Sequence, residues 1–197
     1  FMKQFFATKK IRSASAFITA HGLYEAQING QRVGDASFPP GWPRNNHRLQ
    51  YQVYDVTDLI KRGNNAIGVT LGSGWYRGHL AWAGNKDVYG KDIALFLQLT
   101  IVYSDGSVDT IVSDESWRST TGSIISSEIY NGETIDARKE RTGWALPGYD
   151  DKKWSGVKIG DFSKDNLVAT TDEPVTKHET FKPVRIFTTL RGEEVIR

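Results

Sequence analysis

The chain has 197 residues, 39% of them hydrophobic, and its 25 basic and 23 acidic side chains leave a formal charge of only +2. That length suits one generous domain, and so small and interspersed a charge excludes nucleic acid or an anionic membrane as an electrostatically chosen partner. No apolar run approaches the ~20 residues of a membrane helix, and the lack of cysteine excludes disulfides and thiolate metal sites. The chain opens on Phe1 without a charged and then apolar leader and stops in GEEVIR, which predicts a piece of a longer polypeptide.

In chain order, residues 1–6 alternate weakly and predict an edge strand on which Lys3 discourages further pairing. Ala16, Ile18 and Ala20 alternate along a second strand, and Leu23, Glu25 and Gln27 along a third. Asn29-Gly30 then closes a tight hairpin, because both central residues of a type I′ turn need positive φ, and residues 31–33 begin the return strand. The loop FPPGWPRNNH, residues 38–47, is kept irregular by its prolines and Gly41 and carries Trp42 as a large apolar plate. Residues 51–55 predict a strand, Thr57 the cap of a one-turn helix, Gly63 its stop, and residue 66 the start of another strand.

GSGWYRG, residues 72–78, is a second glycine-rich turn bearing aromatics, and residues 79–92 form a polar loop with Trp82, Asn85, Asp87 and Tyr89. IALFLQLTIVY, residues 93–103, predicts a central strand buried on both faces, turned back by SDGS into a hairpin with residues 108–112. Trp117 reads as a core or rim anchor, residues 123–130 as a short strand, and Trp144 and Trp154 as a packed pair around the Pro147-Gly148 turn. Together these elements predict an all-β, mostly antiparallel jelly-roll sandwich of the galactose-binding-like kind, with one or two short helical turns, over residues 1–160. Residues 161–197 read as a linker-like segment with a closing strand at 184–190.

Chemistry is sparse in the sequence. Glu133 and Asp136 could act as an acid–base pair on a glycoside only if they faced each other across a sugar, ~5–9 Å apart. Three-residue spacing on a strand or loop sends them to opposite faces, so a hydrogen-bonded, ion-paired turn of Asn131, Glu133, Asp136 and Arg138 is the expectation, with sugar or cation contact by Asn131, Glu133 and Asp136 as the alternative. The four histidines show no metal-binding spacing, and no phosphate-loop or nucleophile-elbow pattern occurs. Calcium needs only oxygen ligands, for which Asn45, Asn46 and Asp87 are the candidates. The aromatic loops carry the strongest signal. Trp42, Asn45 and Asn46, then Trp75, Tyr76 and Arg77, then Trp82, Asn85 and Tyr89, combine ring faces with planar polar groups, as sugar recognition requires; packing against a neighbouring domain would use the same rings.

The co-linear runs GLYEAQINGQRVGD, PGW, QYQVYDVTDLI, GNNAIGVTLGSGWYRG, DGS, SDESWR, IYNGETIDAR and PGYDDKKW resemble the N-terminal domain of bacterial α-L-rhamnosidases. The resemblance covers roughly residues 17–157, and EPVTKHETFKPVRI is similar to the segment leading into the next domain. It implies a non-catalytic sandwich that helps to shape or position the substrate site of a multi-domain, secreted or periplasmic glycoside hydrolase. The catalytic carboxylates of such enzymes lie in an (α/α)6-barrel. The alternatives are an independent rhamnose-binding module, with or without calcium, and a purely structural packing domain. No cofactor is required by any of these readings. Where the family pattern continues after PGW with Thr-Asp-Tyr, this chain reads Pro43-Arg-Asn-Asn-His, so the acid of that loop is replaced by the amides of Asn45 and Asn46.

Overall fold

The computed structural model describes residues 1–81 and 84–196. The chain runs through β1 (Met2–Ala7), β2 (Ile11–His21), β3 (Leu23–Ile28), β4 (Gln31–Arg32), β5 (Leu49–Asp55), β6 (Gly63–Gly72), a single-turn helix α1 (Gly74–Arg77), β7 (Ala94–Tyr103) and β8 (Val108–Val112). It continues through β9 (Arg118–Ser119), β10 (Ile124–Glu128), β11 (Gly132–Ile135), β12 (Ser155–Gly156), β13 (Leu167–Ala169), β14 (Ile186–Thr188) and β15 (Glu194–Ile196). One sheet orders its strands β12-β9-β1-β6-β3-β4 and the other β13-β5-β2-β7-β8, while β10–β11 and β14–β15 are separate hairpins. Among the described residues only β13 runs parallel to its neighbour, β5. The expected all-β sandwich is therefore the fold, with α1 and two 3-10 turns as its helical parts. Among the described residues, no helix is long and apolar enough to cross a membrane.

The two sheets enclose Ala14, Ala16, Ile18 and Ala20 of β2, Tyr24, Ala26 and Ile28 of β3, Ile67 and Val69 of β6, and Leu97, Leu99, Ile101 and Tyr103 of β7. Each set recurs every second residue, as one face of a pleated strand must. The Asn29-Gly30 turn forms as expected, with φ of 52° and 77°. The outer face of β6 is covered as well: Met2 and Ala66 pack with Trp154, Trp144 and Tyr149. Gly68 makes this approach feasible, because a Cβ there would lie 2.3 Å from the Trp144 ring. The predicted Trp144–Trp154 contact is present, with ring centroids 6.2 Å apart.

Several local expectations are corrected. The strand buried on both faces is β6; β7 buries one face and leaves Phe96 exposed on the other. An unbroken apolar run does not reveal that its second face lacks a covering layer. Strand β1 is not an edge: it pairs with β6 along its length and with β9 at Met2, and Lys3 is bound to Asp114. Thr57 lies inside its 3-10 turn rather than capping it. Its Oγ1 donates to Asp55 Oδ1 at 2.6 Å and accepts the Ala14 N–H at 2.9 Å, tying the turn to β2. Near the C-terminal end of the described chain, residues 186–188 pair with residues 194–196 as a hairpin instead of forming one closing strand.

Candidate functional site

Two loops meet in an aromatic plate. In residues 38–43, Phe38 has a left-handed φ of 59°, the Gly41 N–H donates to Phe38 O at 2.8 Å, and the Tyr24 N–H holds Pro39 O at 2.9 Å. This turn presents Trp42, which is 52% exposed. The second loop is α1, seated on β3 because Gly74 (φ 49°) carries no Cβ to strike Leu23, 2.4 Å from where that atom would be. Trp75 of α1 stacks on Trp42 with centroids 5.5 Å apart and planes 3° from parallel, and Phe38 meets Trp75 edge-on at 6.2 Å.

The polar candidates frame this plate unequally. Arg77 is held by Nε and Nη2 donating to Ser73 Oγ at 3.1 and 3.0 Å. The next loop is laced back onto α1 by the Asp87 N–H to Arg77 O, 3.0 Å, and the Tyr89 N–H to Tyr76 O, 3.3 Å. Asn85 is exposed and accepts the Leu80 N–H through its backbone oxygen. Asn46 is exposed in the 44–47 turn, whereas Asn45 is buried and its backbone oxygen accepts Asn166 Nδ2 at 3.1 Å. Trp82 lies outside the described residues. The structure thus brings Trp42, Trp75 and Phe38 together, whereas Arg77 of the same turn is held on Ser73, the 85–89 loop is hydrogen-bonded to α1, and Asn45 is tied to Asn166.

Tyr76 points the other way. It is 8% exposed and stacks on His21 with centroids 4.5 Å apart and planes 8° from parallel, with Tyr89 at 6.3 Å. Burial pushes the His21 imidazole below its ordinary range. Below about pH 6.5 an unfolded chain then takes up this proton more readily than the folded one, so folding stability falls as pH drops through that value and is flat above it. Urea unfolding midpoints between about pH 5 and 7.5 should fall less steeply toward acid in His21→Phe than in wild type, since Phe keeps the stack without titrating.

Asn131, Glu133 and Asp136 sit apart from the plate, on the β10–β11 hairpin and just beyond it. Asn131 and Glu133 are exposed. The expected ion-paired turn forms in part: Asp136 receives Arg138 Nε and Nη2 at 2.8 and 2.9 Å, and the Arg138 side chain holds its carboxyl below the usual range. A residue that the sequence did not single out, Glu128, links this hairpin to the α1 loop, its Oε2 accepting the His79 N–H at 3.0 Å. Phe38, His21 and Asn166 were likewise unmarked; the only sequence signal for Phe38 was an aromatic at the edge of a proline-rich loop. No group of three or more His, Asp or Glu side chains suited to a metal occurs among the described residues.

Residues 9–179 match the family model described as the Alpha-L-rhamnosidase N-terminal domain. The chain is 43% identical over 168 residues to an α-L-rhamnosidase of Streptomyces avermitilis, covering 85% of this chain and 16% of that protein. Among solved structures it is similar to native α-L-rhamnosidase from Aspergillus terreus, with TM-score 0.95 and 44% identity over 99% of this chain and 23% of that one. It is also similar to the S. avermitilis α-L-rhamnosidase complexed with L-rhamnose, with TM-score 0.91 and 37% identity over 99% of this chain and 19% of that one. The chain spans about a fifth of the length of the relatives it matches.

Proposed function

Because this chain belongs to the α-L-rhamnosidase N-terminal domain family, we propose that it is a non-catalytic β-sandwich module of a multi-domain α-L-rhamnosidase, and that its Trp42–Trp75 plate helps to position the glycoside. The observation carrying this reading is the parallel stack of an exposed Trp42 on a half-buried Trp75, on the turn that also carries Arg77. A sugar offers a C–H face to such a ring and hydroxyls to planar polar groups, and here both kinds of partner adjoin one turn of helix. The structure of the S. avermitilis relative in complex with L-rhamnose supports rhamnose as the sugar to try first. Hydrolysis itself is assigned to an (α/α)6-barrel elsewhere in the parent protein. Asp136, paired to Arg138 and held in its charged form, is unsuited to serve as a general acid at neutral pH.

Calorimetric titration with L-rhamnose, with and without calcium, tests this. Saturable binding is expected, weakened roughly tenfold in Trp75→Ala, the loss that about 1.4 kcal/mol of contact makes. No heat at millimolar sugar in either buffer would remove sugar contact from the reading. Of the calcium candidates, Asn46 and Asp87 can offer side-chain oxygens, the ligand type calcium takes, and the calcium-free arm reports whether they use it. A packing role has its own support at a different place. Phe181, Val184, Ile186, Leu190 and Ile196, in and around the β14–β15 hairpin, are exposed apolar side chains suited to docking on the rest of the parent protein.

A further inference from the structure

Asn-Gly occurs twice in this chain, at Asn29-Gly30 and Asn131-Gly132, and each pair lies at a hairpin turn. In such a pair the Asn Cγ can close a five-membered ring on the backbone nitrogen of the next residue, and glycine, lacking a Cβ, leaves that approach unhindered. The fold treats the two pairs differently. Asn29 is locked: its Nδ2 donates to Leu59 O and Asn65 Oδ1, both at 2.8 Å, and its Oδ1 accepts the Ala66 N–H at 2.9 Å. Its Cγ cannot turn onto the Gly30 nitrogen without giving these bonds up. Asn131 is exposed, in the three-residue loop between the paired residues Glu128 and Gly132, and among the described residues no hydrogen bond holds its side chain. The hairpin around it, β10–β11, joins neither main sheet, and nothing lies within 4 Å of where a Gly132 Cβ would be. A two-stranded hairpin of this kind is held weakly, so its loop reaches the conformations that ring closure needs.

We propose that Asn131 is a modification site: the fold directs spontaneous deamidation to Asn131 and shields Asn29 from it. The Gly132 backbone nitrogen attacks Asn131 Cγ, the N–Cγ bond of a succinimide forms, the Cγ–Nδ2 bond breaks, and the Gly132 amide proton departs with the leaving group as ammonia. Water, the only co-reactant, then opens the ring. Cleavage at Cγ gives aspartate, and cleavage at the Asn131 backbone carbonyl carbon gives isoaspartate. Either product places a carboxylate two residues from Glu133, and isoaspartate adds one backbone atom to the loop beside Glu128, which holds the His79 N–H. This chemistry is independent of the tryptophan plate and of sugar.

The test is incubation of the chain in mildly alkaline buffer, folded and in urea, with tandem mass spectrometry of proteolytic peptides at intervals. In the folded chain residue 131 is expected to convert at least about tenfold faster than residue 29, the ratio that about 1.4 kcal/mol of additional barrier makes. In urea the two should convert at similar rates. Asn131→Gln, which must close a larger ring, should abolish conversion at 131 and leave Asn29 unaffected. Equal rates at the two sites of the folded chain, no conversion of Asn131 when folded although it converts in urea, or an excess at 131 that persists unchanged in urea would overturn the proposal.

Discussion

Trp117→Ala is expected to lower the unfolding free energy by about 4 kcal/mol, the middle of the range for truncating a buried aromatic. Trp117 is 1% exposed in the core shared by both sheets, and its Nε1 donates to Val112 O at 2.8 Å. It is delivered there by the turn after β8, in which the Trp117 N–H reaches Asp114 O at 3.2 Å and Asp114 is anchored by Lys3 of β1. Truncation would remove the ring, leave Val112 O without its indole donor, and merge the space with the adjoining cavity that Trp117 lines. Trp117→Phe keeps most of the apolar volume and loses the hydrogen bond, so it should cost only about 1–2 kcal/mol. Chemical denaturation of the three proteins checks this; a loss under about 1 kcal/mol for Trp117→Ala would show that the ring is not a core anchor.

The second large effect is expected at Asn65, fully buried in β6. Its Oδ1 accepts Lys61 N–H at 2.9 Å and Asn29 Nδ2 at 2.8 Å, and its Nδ2 donates to Lys61 O at 2.7 Å and Gly63 O at 2.9 Å. Every hydrogen-bonding position of the amide is used. Asn29 extends the network, donating also to Leu59 O at 2.8 Å and accepting the Ala66 N–H at 2.9 Å, so the hairpin turn and the 60–65 turn are fixed together. Asn65→Leu keeps the branched side-chain skeleton but is bulkier, and it leaves four partners of the amide unmatched, which should cost about 3 kcal/mol or more. Asn65→Asp keeps the acceptors and loses both donors. It should therefore be destabilised at neutral pH and partly recover in acid, where a protonated carboxyl can donate once. A stability close to wild type for Asn65→Leu would mean that relaxation or water replaces the network.

How far the sequence could be read depends on whether a feature is local. Asn29-Gly30, SDGS and the alternation in β2 and β8 are set by neighbouring residues, and each is where the pattern puts it. What covers a strand is not local. The outer face of β6 is buried by Trp144 and Trp154, some eighty residues away, while the comparably apolar β7 has an exposed outer side chain, Phe96; nothing within either strand records the difference. Residues 167–169 show the same limit: their polar surroundings suggest a linker, yet they add a parallel strand to β5 by backbone pairing that needs little side-chain signature. Of the candidate site, the aromatic loops were legible because Trp, Pro and Gly mark exposed turns chemically. Which ring faces outward was not, since Trp75 and Tyr76 are adjacent and only the fold sends one to Trp42 and the other to His21.

Sugar contact through Trp42 and Trp75, as proposed for this module, is tested by an NMR titration of the chain with L-rhamnose, with calcium present, following the indole N–H resonances. Saturable shifts are expected at Trp42 and Trp75 that vanish in Trp75→Ala, while Trp117, Trp144 and Trp154 stay in place. Unmoved Trp42 and Trp75 resonances at millimolar L-rhamnose would contradict it, and the plate would then be a surface for another domain rather than for a glycoside.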